Sequence, residues 1–540
     1  MQRLIHKSFS FIAFTFSLFL ISCQTVRQPS SVPQPLNYSD EDIVQNEIKR
    51  IDDFLENEPV RALWRASLLG RDEVTERCAA KVEELFNKAV EEENYLDAKK
   101  YYKSLQTVKP GWKAEKYSYR EIESLAAKDV PGFEKNTTPP SKISECMKAA
   151  VTIWVDRGVT VKHGAGYADV IIGSGFFIDN RGYIVTNHHV IDSMVNPKYE
   201  GYARLYIKLA DDNITKIPAK VIGYDSLLDL ALLKAETTPE YVLDLGSSND
   251  LEIGDKISVI GTPVGLEGTL TSGIISSFDR KLLALGNVFQ IDAAVNSGNS
   301  GGPIIDKNLK VQAIVFAGML QLQGLNFAIP VEYLKQELGI LYSRGEVVHP
   351  WICCFGNTKR EGSKKTGLEV QYVIPGGSGF MAGLKEGDVI TSFDGRKISS
   401  IDDFNYTMMA YECETIVECT YLSEGMEKTC LVYLDKRSEN PSLTVFDSDL
   451  ITTSFIPLFG MKLIPSSTID KNSYTIEKII PGSAADDMSF SENDTVTVNG
   501  VSVDQKNEVI ITSLTTKRKK KAFLDLTINL AVSFDSPYYF

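Results

Sequence analysis

The chain has 540 residues, of which 43% are hydrophobic and 24% charged, and its formal net charge is −14. Single cores rarely exceed about 250–300 residues, so the length predicts several domains. The composition is typical of globular protein, and the acidic balance argues against a nucleic-acid partner.

The N-terminus has the pattern of a targeting segment. Arg3 and Lys7 precede an apolar run that is too short for a transmembrane helix and fits the core of a signal peptide over residues 1–22. The run ends in Leu20-Ile-Ser-Cys23, which resembles a bacterial lipobox. The resemblance implies a lipid on Cys23 and a membrane anchor. An ordinary signal peptide that contains a cysteine is the alternative.

The residues after Cys23 refine this prediction. Gln24 rather than Asp follows the cysteine, which by resemblance to lipoprotein sorting rules favours the outer membrane; the periplasmic side of the inner membrane is the alternative. Residues 23–39 are rich in Pro, Ser and Gln, a composition that indicates a flexible tether.

Residues 40–130 carry helical periodicity. Apolar residues recur at helical spacing between Ile43 and Phe54 and again near Val74–Val90. A third helix is predicted near Tyr95–Leu105, within a stretch that resembles one helix of a tetratricopeptide hairpin, but no second copy follows at a fixed period. A small helical domain is the plain interpretation, and a platform for a peptide or partner is the alternative. The Pro- and Gly-containing segment 131–142 marks a boundary.

Short strands replace helices over residues 145–342, and a closing helix is predicted at Val331–Leu341. Many short strands with turn signals predict a sandwich or a barrel. The predicted strands are Val151–Val155, Ile171–Ile178, Tyr183–Thr186, Ala203–Leu209, Ala219–Gly223, Ala231–Lys234, Lys256–Ile260, Gly273–Ser277 and Val311–Phe316.

Three motifs in this region carry the residue types of nucleophilic catalysis. Thr186–Val190 contains two histidines, Asp229 begins a strand, and a Gly-rich turn holds Ser300 between small residues. Gly298 can take backbone angles that a residue with a Cβ resists, so the turn can aim N–H groups at one spot. The order His, Asp, Ser is that of chymotrypsin. No Cys/His cluster has zinc spacing, so no metal is expected.

These motifs resemble those of the HtrA/Deg family of serine proteases. The resemblance implies a trypsin-like all-β double barrel, usually in an assembly of three or more copies, that acts in the envelope on damaged or misfolded proteins without a cofactor. The matching stretches are Gly173–Ile178, Thr186–Val190, Asp229–Leu233, Gly261–Gly265, Thr271–Ser276, Gly298–Pro303 and Asn326–Pro330.

The resemblance also implies a role for each site residue. Ser300 is the nucleophile, and His189 is its base, because the family histidine directly precedes the valine of its motif. His188 is the competing candidate, although its side chain should point elsewhere. Asp229 orients the imidazole, and the N–H groups of Gly298 and Ser300 form the oxyanion hole.

The same family places its primary specificity pocket just before Ser300 and around residues 314–327. The side chains there are apolar, which predicts a preference for small to medium aliphatic P1 residues, because a buried basic group would need a carboxylate partner. Asp292 is the only nearby acid, and the family motif carries an Asp there without a basic preference. The apolar residues are Ala293, Ala294, Ile314, Val315 and Phe316.

Residues 350–436 resemble a PDZ domain. The resemblance rests on Gly367–Ser378, Ala382–Ile390 and Phe393–Ile398. Such a domain adds a peptide strand to a sheet edge and can capture a C-terminal carboxylate. The carboxylate loop is expected at Trp351–Cys354, where relatives usually have Gly. A packing module without peptide affinity is therefore the alternative.

Residues 442–540 repeat parts of that pattern at Tyr474–Ala485 and Asp494–Val501, which predicts a second, degenerate PDZ-like module. Its basic run, Lys517–Lys521, is typical of a solvated hairpin or loop, with membrane-surface contact as the alternative. In the preceding module, two cysteines (Cys419 and Cys430) flank a turn and could face each other, but burial as free thiols is as good an interpretation.

The sequence therefore predicts an α-helical region, a trypsin-like double barrel and PDZ modules in one chain. The predicted function is an envelope serine endopeptidase with His189, Asp229 and Ser300 as its triad, regulated by C-terminal peptides at the PDZ modules. A non-catalytic chaperone or peptide-binding envelope protein is the alternative.

Overall fold

The computed structural model describes residue 29, residues 32–34, residue 38, and residues 40–133, 138–262, 268–318, 325–466, 471–519 and 523–540. The predicted signal peptide, Cys23 and most of the predicted tether lie outside these residues. No helix within the described ranges is long and apolar enough to cross a bilayer. The chain folds into two compact units, one of residues 124–348 and one that joins the helical region to residues 349–540.

Five helices occupy the N-terminal region, and they include the three that periodicity predicted. The side chain of Asp40 caps the first helix by accepting from Asp42 N–H, and Asn94 caps the fourth by accepting from Asp97 N–H. The sequence did not single out the second helix, which begins with a proline and ends at Gly70 in the left-handed conformation. The helices are α1 (Glu41–Asn57), α2 (Pro59–Leu69), α3 (Asp72–Glu91), α4 (Tyr95–Val108) and α5 (Tyr119–Ala126).

The first unit contains two closed six-stranded barrels. The first has the strand order β1-β2-β3-β6-β5-β4 and the second β10-β11-β12-β9-β8-β7. The strands are β1 (Ala150–Lys162), β2 (Ala165–Asp179), β3 (Tyr183–Thr186), β4 (Arg204–Leu209), β5 (Asp212–Asp225), β6 (Leu230–Ala235), β7 (Lys256–Gly261), β8 (Thr269–Arg280), β9 (Val288–Ile291), β10 (Pro303–Ile305), β11 (Val311–Gly318) and β12 (Asn326–Pro330). The helices of this unit are α6 (Ile143–Ala149), α7 (His188–Val195) and α8 (Val331–Arg344).

Alternating side chains fill each barrel. In β1, Val151, Ile153 and Val155 are fully buried and belong to the core of the first barrel. Successive side chains of a strand point to opposite faces, so every second residue of this part of β1 faces the core. The barrels hold the connecting segments that carry the site residues.

The second unit contains two larger sheets, which follow the barrels in the chain and which we call the first and second PDZ modules after the sequence resemblance. The first PDZ module is a sheet in the order β14-β15-β16-β18-β19, with β17 beside β16, and the second is a sheet in the order β21-β22-β23-β24-β25. The first PDZ module comprises β13 (Pro350–Trp351), β14 (Cys354–Glu361), β15 (Lys364–Val373), α9 (Ser378–Met381), β16 (Val389–Phe393), β17 (Arg396–Lys397), α10 (Ile401–Met408), β18 (Ile416–Ser423), β19 (Met426–Tyr433) and β20 (Asp435–Lys436).

The second PDZ module lacks one element of the first. Its strands β23 and β24 are joined by a tight turn at residues 505–508, so no helix corresponding to α10 lies between them. Its elements are α11 (Pro441–Ser448), α12 (Ile451–Phe459), β21 (Met461–Pro465), β22 (Ser473–Ile479), α13 (Ala484–Asp487), β23 (Thr495–Asp504), β24 (Val509–Lys519) and β25 (Phe523–Ser533). Lys517–Lys519 of the basic run form the end of β24 and pair with Phe523–Asp525 of β25, and Lys520 and Lys521 lie outside the described residues.

The helical region and the first PDZ module share one core. Ile416 and Tyr433 of the PDZ sheet are buried among the side chains of α1–α5. Trp64 Nε1 donates to the carbonyl of Leu431 at 2.7 Å, and its ring stacks on Tyr433 with centroids 5.6 Å apart. The helices are therefore an integral part of this unit.

The seven cysteines within the described residues form no disulfide. Cys419 and Cys430 are directly opposite each other in the β18–β19 ladder, as the spacing around their turn suggested. Burial raises the pKa of Cys78 to about 11, and the same cause raises the pKa of Cys146 to about 11. These two thiols are therefore protonated and unreactive at neutral pH.

Candidate active site

His189 and Asp229 meet in the first barrel. His189 lies in the first turn of α7, directly after β3, and Asp229 directly precedes β6, the neighbour of β3. One oxygen of Asp229, Oδ1, accepts from the main-chain N–H of His189 at 2.7 Å, and Oδ2 lies 2.7 Å from ring Nδ1. Asp229 is almost fully buried. The contact fixes both the position of the ring and the proton on Nδ1.

The backbone of Asp229 is in an uncommon conformation, with φ of 55°. Left-handed angles at a residue with a Cβ cost free energy and persist only where the surroundings hold them. Asn187 Nδ2 donates to the carbonyl oxygen of Asp229 at 2.9 Å. The histidine-bearing segment therefore holds Asp229 through three hydrogen bonds.

Ser300 lies in the Gly-rich turn before β10. Gly298 has φ of 102° and Gly301 has φ of 84°, both in the region that favours glycine. A Cβ on Gly301 would collide with Thr186 Oγ1 and with the carbonyl oxygen of Ser174. The serine turn is therefore packed directly against the end of β3, which leads into the histidines.

The N–H groups of this turn are available to a ligand. Among the described residues, neither Gly298 N–H nor Ser300 N–H donates to an acceptor within the protein. A carbonyl oxygen that becomes negative in a tetrahedral intermediate is the acceptor that such a pair suits. Within the same residues, Ser300 Oγ is not hydrogen-bonded to His189, and such contacts are often long before substrate binds.

Ser174, on β2, ties the serine turn to its surroundings, and sequence reasoning assigned it no role. Its Oγ donates to the carbonyl of Gly298 at 2.6 Å and accepts from Thr262 N–H at 2.9 Å. Its main-chain N–H donates to the carbonyl of Ser300 at 2.8 Å. In the sequence, the only signal for this role of Ser174 was its position in a motif rich in small residues.

His188 and His189 have separate surroundings. The ring of His188 stacks on Tyr224, with centroids 5.2 Å apart, and its Nε2 lies 3.8 Å from Asp192. Of the two histidines, it is His189 that contacts the buried Asp229. The two side chains diverge because they are consecutive positions of a helix.

The structure describes the five apolar residues that were predicted to line the specificity pocket. Ala293, Ile314, Val315 and Phe316 are buried and Ala294 is exposed, and the part of the predicted pocket at residues 319–324 lies outside the described residues. Asp292 is exposed, and its Oδ1 accepts from Ile274 N–H at 2.6 Å. Two six-stranded barrels that carry a His–Asp pair beside a Gly-rich serine turn define a trypsin-like serine peptidase.

Comparison with protein families agrees with this class. The family model for a trypsin-like peptidase domain matches residues 173–314, and that for a TP0546 family PDZ domain matches residues 442–534. Residues 42–126 match a domain of unknown function. The helical region is therefore a recurrent domain, and its role is open.

Relatives of known class extend over most of the chain. A protein named probable periplasmic serine endoprotease DegP-like, from Marinomonas sp., is 30% identical over 330 residues, which are 58% of this chain and 68% of that protein. A protein of the same name from Bartonella henselae is 32% identical over 359 residues, 63% of this chain and 69% of that protein. A solved structure of the HtrA-type protease AlgW with a decapeptide has a TM-score of 0.46 at 23% identity and covers 55% of this chain and 98% of that chain.

The chain belongs to the DegP-like (HtrA/Deg) family of serine endoproteases. It is therefore a serine endopeptidase with a trypsin-like domain and PDZ modules. This confirms the family, the fold class and the enzyme class that the sequence predicted.

Proposed function

We propose that this chain is an envelope endopeptidase that degrades misfolded or damaged proteins through an acyl-enzyme on Ser300. The observation that carries the proposal is the pairing of both Asp229 carboxylate oxygens with His189, beside the turn that holds Ser300. Relatives of this chain are named periplasmic endoproteases, which supports the compartment.

The chemistry follows from the roles of three side chains. Ser300 Oγ attacks the carbonyl carbon of a peptide bond while His189 Nε2 takes the hydroxyl proton. Asp229 holds the other ring proton on Nδ1 and stabilises the imidazolium. The C–N bond then breaks, His189 gives its proton to the leaving amine, and water hydrolyses the acyl-serine by the same steps.

The oxyanion is stabilised by main-chain N–H groups. Those of Gly298 and Ser300 donate to the substrate oxygen as it gains charge, and each such donor is worth about 2.7–4 kcal/mol in the transition state. The positive φ of Gly298 supports a turn that holds this pair before substrate arrives, and a pair held in this way needs no reorganisation at the moment of reaction.

The preferred P1 residue is a small or medium aliphatic one. The five residues predicted to line the pocket are apolar, and Asp292 is exposed and hydrogen-bonded to a main-chain N–H, so it does not offer a buried carboxylate to a basic P1 side chain.

The location and assembly are proposed from the sequence and the family. A lipid on Cys23 and a tether over residues 23–39 would hold the protease near the membrane, and the family implies a trimer or larger assembly. The first PDZ module binds C-terminal peptides of substrates or signals. A bound peptide raises activity only by its greater affinity for the active state.

The test is the cleavage of casein by the purified chain, beside Ser300→Ala and the matched control Ser297→Ala. Ser297 lies in the same turn and is exposed. The parent and S297A should cleave casein, and S300A should not. If neither the parent nor S297A cleaves casein, with or without added C-terminal peptides, the chaperone alternative replaces this proposal. If cleavage is equal with and without peptide, PDZ regulation is refuted and the protease stands.

A further inference from the structure

The peptide groove of the first PDZ module is occupied by the chain itself. The groove lies between the edge of β14 and helix α10. The segment Tyr538–Phe540 lies along β14 as an antiparallel strand, with Tyr539 opposite Phe355. This is the placement of a peptide that adds a strand to a sheet edge.

Three main-chain hydrogen bonds hold the segment. Cys354 N–H donates to an oxygen of Phe540 at 3.0 Å, and Phe540 N–H donates back to the carbonyl of Cys354 at 3.0 Å. Gly356 N–H donates to the carbonyl of Tyr538 at 3.0 Å. The bonds are to alternate residues of β14, as strand addition requires.

The side chains of the segment fill two separate cores. Phe540 is 3% exposed and lies in the core of the first PDZ module, with its ring edge-to-face on Phe404 of α10 at 5.2 Å. Tyr539 points to the other side, where it is fully buried against Trp351 and its hydroxyl lies 3.1 Å from Ser442 Oγ. The segment is therefore anchored as firmly as core residues are.

The two cysteines of the carboxylate loop do not close this groove. Cys353 takes φ of 59°, the left-handed conformation that a glycine would favour at this position, and its side chain turns toward Asp435. Cys354 uses its main chain to bind Phe540. The loop is thus able to hold a peptide despite the departure from the family pattern.

From these contacts we infer that Tyr538–Phe540 is a built-in ligand of the first PDZ module, and that the groove accepts extended peptides that contain Tyr-Tyr-Phe or a similar aromatic sequence. This inference rests on the proposed peptide-binding role of that module. An external peptide must displace this segment before it can bind. The apparent affinity of the external peptide is therefore reduced in proportion to the fraction of molecules whose groove is free. In the described residues of the second PDZ module a tight turn replaces the α10 equivalent between β23 and β24, so the inference concerns the first PDZ module alone.

The experiment measures binding of fluorescein-labelled Ser-Pro-Tyr-Tyr-Phe by fluorescence polarisation. All chains carry Ser300→Ala, so the peptide is not cleaved. Phe540→Ala should bind the peptide roughly tenfold or more tightly than the chain with Phe540, because the competitor is weakened. Phe86→Ala, which removes an equally buried ring from the helical region, should leave the affinity unchanged.

A second pair of variants guards against misfolding and against binding elsewhere. Phe540→Leu keeps an apolar side chain and should give a smaller gain of the same sign. Adding Phe404→Ala to Phe540→Ala should reverse the gain, because Phe404 forms the wall on which the peptide ring packs. Circular dichroism confirms that each variant is folded.

The outcomes separate the two proposals. Equal affinity with and without Phe540→Ala would overturn the built-in ligand but keep the PDZ module as a peptide site. No binding by folded F540A and F540L would overturn both peptide proposals and leave the serine endopeptidase untouched. A gain that F404A does not reverse would place the peptide outside the groove and overturn the inference.

Discussion

The two carboxylate oxygens of Asp229 contact two different nitrogens of His189, one on the main chain and one on the ring, each at 2.7 Å. The first contact places the start of α7, and the second fixes the ring within it. The orientation of the His189 ring and the choice of its tautomer are therefore set by one buried residue.

Asp229→Asn tests this arrangement. The amide cannot hold the proton on Nδ1 as the carboxylate does, so kcat should fall about 10⁴-fold while KM changes little. The measurement is steady-state cleavage of a fluorogenic peptide. Asp192→Asn, beside His188 on the same helix, is the matched control and should retain nearly full activity. A loss of less than tenfold in D229N would remove Asp229 from the triad.

Ser174→Ala tests the positioning of the serine turn. Loss of the Oγ bonds to Gly298 and Thr262 leaves buried partners unsatisfied, at about 1–3 kcal/mol. We expect kcat to fall roughly tenfold to a hundredfold with KM nearly unchanged, because the proposed oxyanion donors of the turn would lose their fixed position. Ser174→Thr, which keeps a hydroxyl, should recover part of the loss.

The contrary result for Ser174 is a change in KM alone. That outcome would mean that the side chain contributes to substrate binding and not to the turn. A merely structural role would lower thermal stability while the kcat of the folded fraction stayed normal, so active-site titration is included.

The elements that the sequence predicted are those whose signals are local. The alternation at Val151–Val155 gives β1, and the spacing of apolar residues gives α3 and α4. The positive φ of Asp229 could not be predicted from its neighbours in the sequence, because a hydrogen bond from the distant residue Asn187 holds it. Ser174 was hidden for the same reason, since its partners are distant in the chain.

The core shared by the helices and the first PDZ module also could not be predicted from local sequence patterns. Trp64 and Leu431 are 367 positions apart, and Ser104 and Ile416 are 312 positions apart. Amphipathic helices show that a face will be buried, but not which surface covers it. The strand pairing alone shows that a tight turn, and not a helix, joins β23 and β24.

Tyr433→Ala tests the shared core. Tyr433 is 1% exposed and touches both Trp64 and Arg61, whose guanidinium carbon lies 4.9 Å from its ring centroid. Its removal should lower the free energy of unfolding by about 3–5 kcal/mol, the usual cost of a deleted core aromatic ring. Urea unfolding followed by circular dichroism gives the value.

The control for Tyr433 is Lys428→Ala, an exposed position on the same strand, which should change stability by less than about 0.5 kcal/mol. An unfolding midpoint for Y433A equal to that of the parent would contradict a shared core. It would indicate that the helices are stable without the PDZ sheet.

Glu337→Gln tests a buried acid in the first unit. Burial raises the pKa of Glu337 well above its usual value, and the charge of nearby Asp225 adds to the effect. The folded state therefore holds this proton more tightly than the unfolded chain does. The resulting stabilisation is complete below the unfolded pKa of about 4.3 and is lost as pH rises through the folded value.

The expected result is a stability difference that grows with pH. Glu337→Gln mimics the neutral acid, so relative to the parent it should gain stability as pH rises, and urea midpoints from pH 4 upward measure this on the intact chain. Glu252→Gln, at an exposed site, should follow the parent at every pH. A difference between E337Q and the parent that did not change with pH would show that folding leaves the pKa of Glu337 unshifted, which would contradict this account.

A panel of peptides tests the proposed specificity. Substrates with Ala, Val or Leu at P1 should be cleaved with a kcat/KM at least tenfold above those with Lys or Arg, because the described pocket residues are apolar. Mass spectrometry of the products locates each cut. Cleavage confined to Lys and Arg would refute the apolar pocket.

The measurement that tests the central claim most directly is labelling of the purified chain with a fluorophosphonate, followed by peptide mapping. Ser300 should be modified in the parent, and the modification should disappear in His189→Ala but persist in His188→Ala. Labelling at another serine, or labelling of Ser300 that does not depend on His189, would contradict the proposed catalytic residues.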